Sequence, residues 1–247
     1  MNIRCPGNHS CPHTCSFVRT LCRLAVLVPV IALVLAGCST RPFRPASLLK
    51  TTIDMVADDH TSMMTDLMRK LTRKLYRRNP AELAKNTGHT IESRVESLFA
   101  DNASEVFEEL QKKRSIDAML LCFDENYTGD RVFALMAGLR DMIRASYNNK
   151  KKFYFYNSLD PQPLYDSARN IEILVWRLNH RLDSNGNVFL LTNEPCGPQP
   201  NLSFERLFGK MIAVQDLLAF TLADRTNRTI VTVTYRLASA AFIPTGL

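Results

Sequence analysis

The stretch DPQPLYDSARNIEILVWRLNHRL, from Asp160 to Leu182, carries the strongest periodic pattern in the chain. Apolar residues recur along it every three or four positions, which is the spacing of one face of a helix. Ile173 and Trp176 add a second apolar face. A helix that is apolar on two faces belongs inside a core, so this stretch predicts a central helix. The first face consists of Leu164, Ala168, Ile171, Val175, Leu178 and Leu182.

Helical spacing also covers much of the chain outside this stretch. Several of these helices begin with residues that are typical of helix starts. Asn and Thr side chains can accept hydrogen bonds from N–H groups of the first turn, and proline is favoured at the first position of a helix. Besides 160–182, the predicted helices are a long one over 49–75 with a break near 58–61, one that starts at Asn79-Pro80, one capped by Thr90, one opened by Thr128-Gly129-Asp130, and one over 203–223.

Three shorter segments read as strands, because β-branched and aromatic residues lie between turn residues at 153–156, 188–192 and 229–237. No recurring pattern of helical repeats is visible. The predicted fold class is therefore α+β and predominantly α-helical: a single domain of several amphipathic helices, with a small antiparallel sheet in the C-terminal half.

The first forty residues have a different character. Residues 24–37, LAVLVPVIALVLAG, contain no charge, Arg19 and Arg23 precede them, and no acidic residue occurs before Asp54. The run is shorter than the roughly 20 apolar residues that span a bilayer, but it suits the apolar core of a secretion signal. It ends in Leu35-Ala36-Gly37-Cys38.

These four residues resemble the lipobox of bacterial lipoproteins, Leu-(Ala/Ser)-(Gly/Ala)-Cys. The resemblance implies cleavage between Gly37 and Cys38, a diacylglyceryl group on the Cys38 thiol, and acylation of the new amino terminus with a chain such as palmitate. Two or more acyl chains give stable membrane attachment. Ser39, where lipoproteins of the inner membrane commonly have Asp, favours the outer membrane facing the periplasm, with the inner membrane as the alternative.

The resemblance also divides the chain. Residues 1–37 are predicted to be a signal peptide, 38–46 a tether and 47–247 a periplasmic globular domain. Signals of this class are short, which favours a translation start near Val18 and leaves the early cysteines and histidines outside the mature protein. Cleavage removes Arg4, Arg19 and Arg23 and no acid, so the formal net charge falls from +7 to +4. Mild charge and export both argue against a nucleic-acid partner.

Cys122 and Cys196 are the cysteines that remain beside Cys38. In an oxidising compartment such a pair is a disulfide candidate. The alternative is two separate buried thiols, since Cys122 lies in the apolar run AMLLCF.

The turn-rich stretch 183–194 is a weak candidate for calcium. Asp183, Asn185 and Asn187 stand at positions 1, 3 and 5, and Glu194 at position 12, of a loop that could supply oxygen ligands. The sixth position, which needs glycine, is Val188. The alternative is a plain Asn-Gly turn that leads into a strand, so no metal site is predicted.

A basic group near the end of the first long helix has two interpretations. It can contact anionic lipid, polysaccharide or an acidic partner. It can also face water and complement the helix dipole. The group consists of Arg69, Lys70, Arg73, Lys74, Arg77 and Arg78. His60, after two aspartates, is likewise either a functional side chain or a packed one.

Motifs of catalysis are missing from the sequence. It has no Gly-x-Ser-x-Gly elbow, no His-Glu-x-x-His and no phosphate-cradling glycine loop. We therefore expect no catalytic residue and no cofactor. The expected function is a non-enzymatic binding or assembly role with an envelope protein partner, for a lipoprotein held at the periplasmic face of the outer membrane. The alternative is a periplasmic enzyme acting on cell-wall or envelope polymers.

Overall fold

The computed structural model describes residues 52–100, 103, 106–150, 153, 159–194, 200–226, 229–230 and 241–244. In this part of the chain the ordered elements are helices. They are α1 (Thr52–Arg78), α2 (Pro80–Ala84), α3 (Ile91–Phe99), a 3-10 turn (Glu108–Leu110), α4 (Ser115–Leu121), α5 (Arg131–Ser146), α6 (Pro161–His180) and α7 (Ser203–Thr226).

Helix α5 occupies the centre of the packing. It contacts α1, α2, α3, α4 and α6, and nearly every residue along it is buried. The central position therefore belongs to α5 and not to α6, which the double apolar face predicted. The reason is that α6 is not buried on all sides, since Arg169, Glu172 and Trp176 remain partly exposed. Helix α6 instead packs between α5 and α7.

The predicted sheet is wrong for the described residues, which contain no strand. Only two isolated bridges occur there, Leu182 with Val188 and Glu194 with Asn201. In the segment 188–192, Leu190 and Thr192 are buried, but the N–H and C=O of Leu191 bond to the Asn79 side chain. Leu191 thus satisfies its backbone groups without a neighbouring strand, and the described part of the chain is helical. Residues 154–156 and 231–237 of the other two predicted strands lie outside the described residues.

Helix α1 continues without the break predicted near 58–61. Its buried face is also shifted from the predicted stripe: Met64 and Met68 are buried, whereas Met63 is 48% exposed. The predicted cap at Asn79 is wrong, because the Asn79 side chain makes no cap bond to α2 and binds the Leu191 backbone instead. Three other helix signals are confirmed. Thr90 accepts a hydrogen bond from the Ser93 N–H in a capping box, Asp130 caps α5, and the last long helix begins at Ser203.

A buried polar network fixes the N-terminus of α5. Asp130 accepts hydrogen bonds from the Phe133 N–H at 2.9 Å and from the Tyr76 hydroxyl at 2.7 Å. Arg94 lies 3.2 Å from the same carboxylate and forms a two-bond pair with Glu109. Burial raises the pKa of Asp130, and the bonds from Tyr76 and Phe133 and the charge of Arg94 offset only part of the rise. Because one network joins α1, α3 and α5, it sets how these helices meet.

Candidate functional site

The C-terminal residues 241–244, which we call the tail segment, are held on α6 by one asparagine. The Asn170 amide Nδ2 donates to the Ile243 carbonyl at 2.8 Å, and the Ile243 N–H donates to Asn170 Oδ1 at 2.7 Å. Asn170 is fully buried. A side-chain amide that binds both backbone groups of one residue imitates a neighbouring strand, so α6 recognises non-helical main chain at this point.

One residue earlier, Phe242 supplies the side-chain part of this contact. The centre of its ring lies 4.7 Å from the guanidinium carbon of Arg177, which is about two turns further along the same face of α6 as Asn170. Phe242 is half-buried and packs against the apolar core. Burial lowers the pKa of Arg177, and the nearby charge of Arg181 lowers it further. A partly desolvated cation beside an aromatic face is attracted to it. Asn170 and Arg177 together form what we call the tail site.

The tail site holds its segment weakly by comparison with a core contact. Each neutral hydrogen bond contributes about 1 kcal/mol net, and a half-buried cation–aromatic contact about 1 kcal/mol. Ordering each backbone residue costs roughly 1–2 kcal/mol. Ala241 and Pro244, at the two ends of the segment, are exposed. The contacts that hold the segment are few and individually small, which places it among the elements that open locally without global unfolding.

Asn79 makes the same kind of contact elsewhere. Its Nδ2 donates to the Leu191 carbonyl at 2.9 Å, and its Oδ1 accepts from the Leu191 N–H at 2.8 Å. Nδ2 also donates to the Leu75 carbonyl at the end of α1. This contact closes an internal loop, because Glu194, three residues on, pairs with Arg78 at 2.6 Å.

A group of charged and aromatic residues lies between α6 and α7. Arg169 Nη2 approaches Glu172 at 2.9 Å and Asp216 at 2.6 Å. Burial raises the pKa of both carboxyl groups, and the charge of Arg169 offsets part of each rise. Phe220 is 52% exposed and its ring stacks edge-on to Tyr165. Carboxyl groups with raised pKa values are typical of functional sites and of structural ion pairs alike.

The structure uses most of the basic group in internal contacts. Towards α3, Arg69 donates to the Phe99 carbonyl and Arg73 forms an ion pair with Glu92. Towards α7, Lys74 bonds to Ser203 and lies 4.1 Å from the centre of the Phe204 ring. Arg78 pairs with Glu194. Lys70 and Arg77 are exposed. The group therefore ties α1 to α3, to α7 and to the 183–194 loop, while Lys70 and Arg77 face water; a contact with an anionic partner stays a prediction.

The candidate calcium residues occupy a turn. Asp183 Oδ1 accepts the N–H groups of Asn185 and Asn187, Gly186 adopts a positive φ of 81°, and Glu194 is paired with Arg78. These backbone bonds lower the pKa of Asp183, the bond from Asn187 most. Among the described residues no group of three or more His, Cys, Asp or Glu side chains is arranged to hold a metal.

The remaining predicted site residues are placed only in part. The Cys122 side chain is fully buried, and burial raises the pKa of its thiol. Cys196 lies outside the described residues, as do Gly37 and Cys38, so the disulfide and the lipidation stay predictions. His60 is half-buried, and burial lowers its pKa despite a hydrogen bond with the Val214 backbone, so its ring packs between α1 and α7.

Sequence reasoning missed the tail site. Asn170 and Ile243 are 73 positions apart, and neither lies in a motif. An asparagine inside an apolar helical face was the available signal, because a buried amide needs partners.

In the part of the chain that the structure describes, the helices are all too short or too polar to traverse a lipid bilayer. Compared with protein-family models, with curated proteins and with solved structures, the chain matches none of them.

Proposed function

We propose that this chain is a lipid-anchored envelope lipoprotein, not an enzyme, whose helical domain binds another envelope protein at the periplasmic face of the outer membrane. The anchor rests on the lipobox-like residues Leu35-Ala36-Gly37-Cys38. The binding role rests on one observation, the paired bonds between Asn170 and the backbone of Ile243.

The geometry of the tail site supports a binding role because of the way it recognises its segment. Main-chain hydrogen bonds provide affinity for any extended segment, and a side-chain contact next to them provides selectivity. Asn170 supplies the first and Arg177 the second. A domain held close to the membrane by lipid meets envelope partners at raised local concentration, so a weak recognition site is sufficient.

The anchor is tested by intact mass measurement of the protein purified from membranes. We expect the chain to begin at Cys38 and to carry diacylglyceryl and acyl groups, and a Cys38→Ser variant to remain uncleaved and unlipidated. An unmodified Cys38 still joined to Gly37 in the wild-type protein would exclude the lipoprotein assignment.

The binding role is tested by photo-cross-linking in cells of the native host. A photoreactive residue replaces Arg181, which is exposed at the end of α6, and in a control replaces Asp66, which is exposed on α1. We expect one stoichiometric envelope protein to be captured from position 181 and not from position 66. Equal capture from both positions, or no protein capture, contradicts a binding role at α6.

A second candidate function is the periplasmic enzyme acting on envelope polymers, which the Glu172–Arg169–Asp216 group favours. Two half-buried carboxyl groups with raised pKa values next to exposed Phe220 combine an acid with a surface on which a sugar can stack. Recovery of glycan alone, with turnover that Glu172→Gln or Asp216→Asn abolishes, would establish this candidate and displace the first.

A further inference from the structure

The contacts of the tail segment show which chemical groups the tail site binds. Three features of it touch α6: the Phe242 ring, the Ile243 N–H and the Ile243 carbonyl. Ala241 and Pro244 are exposed. The protein side of the contact includes a fully buried polar side chain, Asn170, so the site is built into the fold and is not a chance surface contact.

We propose that the tail segment is a built-in competitor, which occupies the tail site until an extended segment of the partner protein replaces it. This inference rests on the proposed binding function and names the chemistry of its partner. The described contacts to be replaced are few and join the tail segment to the single helix α6, so exchange requires no rearrangement of the helices. A segment of the same chain acts at an effective concentration on the order of millimolar, and the free partner must overcome it.

The contacts define the partner segment. It is extended, it has an aromatic residue in the place of Phe242, and the next residue is any except proline, because its N–H must reach Asn170 Oδ1. The flanking positions are unrestricted, since Ala241 and Pro244 are exposed. Acidic side chains beside the aromatic residue would strengthen binding through the charges of Arg177 and the exposed Arg181.

The test uses the intact chain and a fluorescent peptide with the sequence of residues 241–247, AFIPTGL. In the chain, Ile243→Pro removes the N–H that holds the tail segment, so this variant offers an open tail site. We expect fluorescence anisotropy to give at least a tenfold lower Kd for the Ile243→Pro chain than for the wild-type chain, about the effect of one lost hydrogen bond.

Two altered peptides test the contacts without any change in the protein. AFPPTGL lacks the essential N–H and AAIPTGL lacks the aromatic ring. Both are expected to bind the Ile243→Pro chain at least tenfold more weakly than AFIPTGL. Equal binding of the three peptides, or no binding of any, would overturn the inference.

The protein-side variants are Asn170→Ala and, as the matched control on the same helix, Asn179→Ala, both in the Ile243→Pro chain. Asn179 is exposed. Loss of peptide binding only in the Asn170→Ala chain supports the inference, and equal binding in both overturns it. If Asn170→Ala fails to fold, the altered peptides decide alone.

The peptide measurements and the cross-linking separate the two proposals. Peptide binding as expected, without capture of an envelope protein in cells, leaves the tail site intact and refutes the proposed function. Capture at position 181 without peptide binding refutes only the inference that the tail segment competes with the partner.

Discussion

Asn79 and Asn170 perform the same chemistry in two regions of the molecule, with different consequences. Each pairs its amide with the N–H and C=O of one distant residue, Leu191 in the first case and Ile243 in the second. The Leu191 loop is tied again through Glu194 and covers buried side chains, Leu190 among them. The tail segment has the half-buried Phe242 as its other described contact. We therefore expect the surroundings of a contact, more than its hydrogen bonds, to decide whether it is permanent or exchangeable.

The largest loss of stability is expected from Asp130→Ala, because both asparagine contacts depend on helices that pack against α5. Both α1, which precedes Asn79, and α6, which carries Asn170, pack against α5, and Asp130 fixes the start of α5. Asp130→Ala leaves Tyr76 without its acceptor and removes a buried partner of Arg94, at a cost of about 3–5 kcal/mol. Urea unfolding monitored by circular dichroism measures this loss in the free energy of unfolding. Asp130→Asn, which retains the capping oxygen, is expected to cost less, and an equal cost in both variants would show that the cap contributes nothing.

The second effect separates the two asparagines. Asn79→Ala removes two hydrogen bonds to the Leu191 backbone and one to the Leu75 carbonyl, which keeps its bond from the N–H of residue 79. At about 1 kcal/mol for each bond, we expect a loss of about 2–3 kcal/mol in the free energy of unfolding. The loss should appear in global unfolding, because the loop covers the core. A change confined to hydrogen exchange of residues 183–194 would mean that this loop, too, opens locally.

A smaller and local effect is expected at the tail site. Asn170→Ala frees the Ile243 N–H and C=O, which water can reach once the segment detaches. Global stability should fall by about 1 kcal/mol, whereas hydrogen exchange at Ile243 should accelerate at least tenfold. A global loss as large as that of Asn79→Ala would make the two contacts equivalent.

The smallest effect concerns the second tie of the Leu191 loop. Arg78→Ala removes the exposed ion pair with Glu194, for which at most about 1 kcal/mol is expected. Arg77→Ala, one residue earlier and exposed, is the matched control and should change the free energy of unfolding by no more than about 0.5 kcal/mol. High salt should remove the difference between the two variants.

The sequence predicted the helices well and the sheet poorly, for a physical reason. Helix signals are local: the Thr90 cap and the Asp130 cap each act within a few residues, and amphipathic spacing repeats along one element. A strand needs a partner elsewhere in the chain. At 188–192 the partner of the backbone is the Asn79 side chain, more than a hundred positions away, and β-like composition gives no sign of it.

Candidate sites whose residues are close together in the sequence could be interpreted from the sequence. Sites whose residues meet only when the helices pack could not. The sequence offered an Asn-Gly turn as one interpretation of Asp183–Asn187, and the hydrogen bonds confirm that turn. The basic residues of α1 looked like one surface group, but Arg73 and Lys74 point to different helices. Only the meeting of α1 with α3 and α7 assigns each cation its partner.

The residues by themselves determined the helical segments, their caps and, through the Leu35–Cys38 resemblance, the prediction of a lipid anchor, since each depends on side chains that stand next to one another along the chain. Tertiary structure alone decided that α5 is central, that Asp130 and Arg94 share a buried network, and that Asn170 meets Ile243 across 73 positions. Such contacts depend on which faces exclude water together, and this is settled only when all the helices compete for the same core.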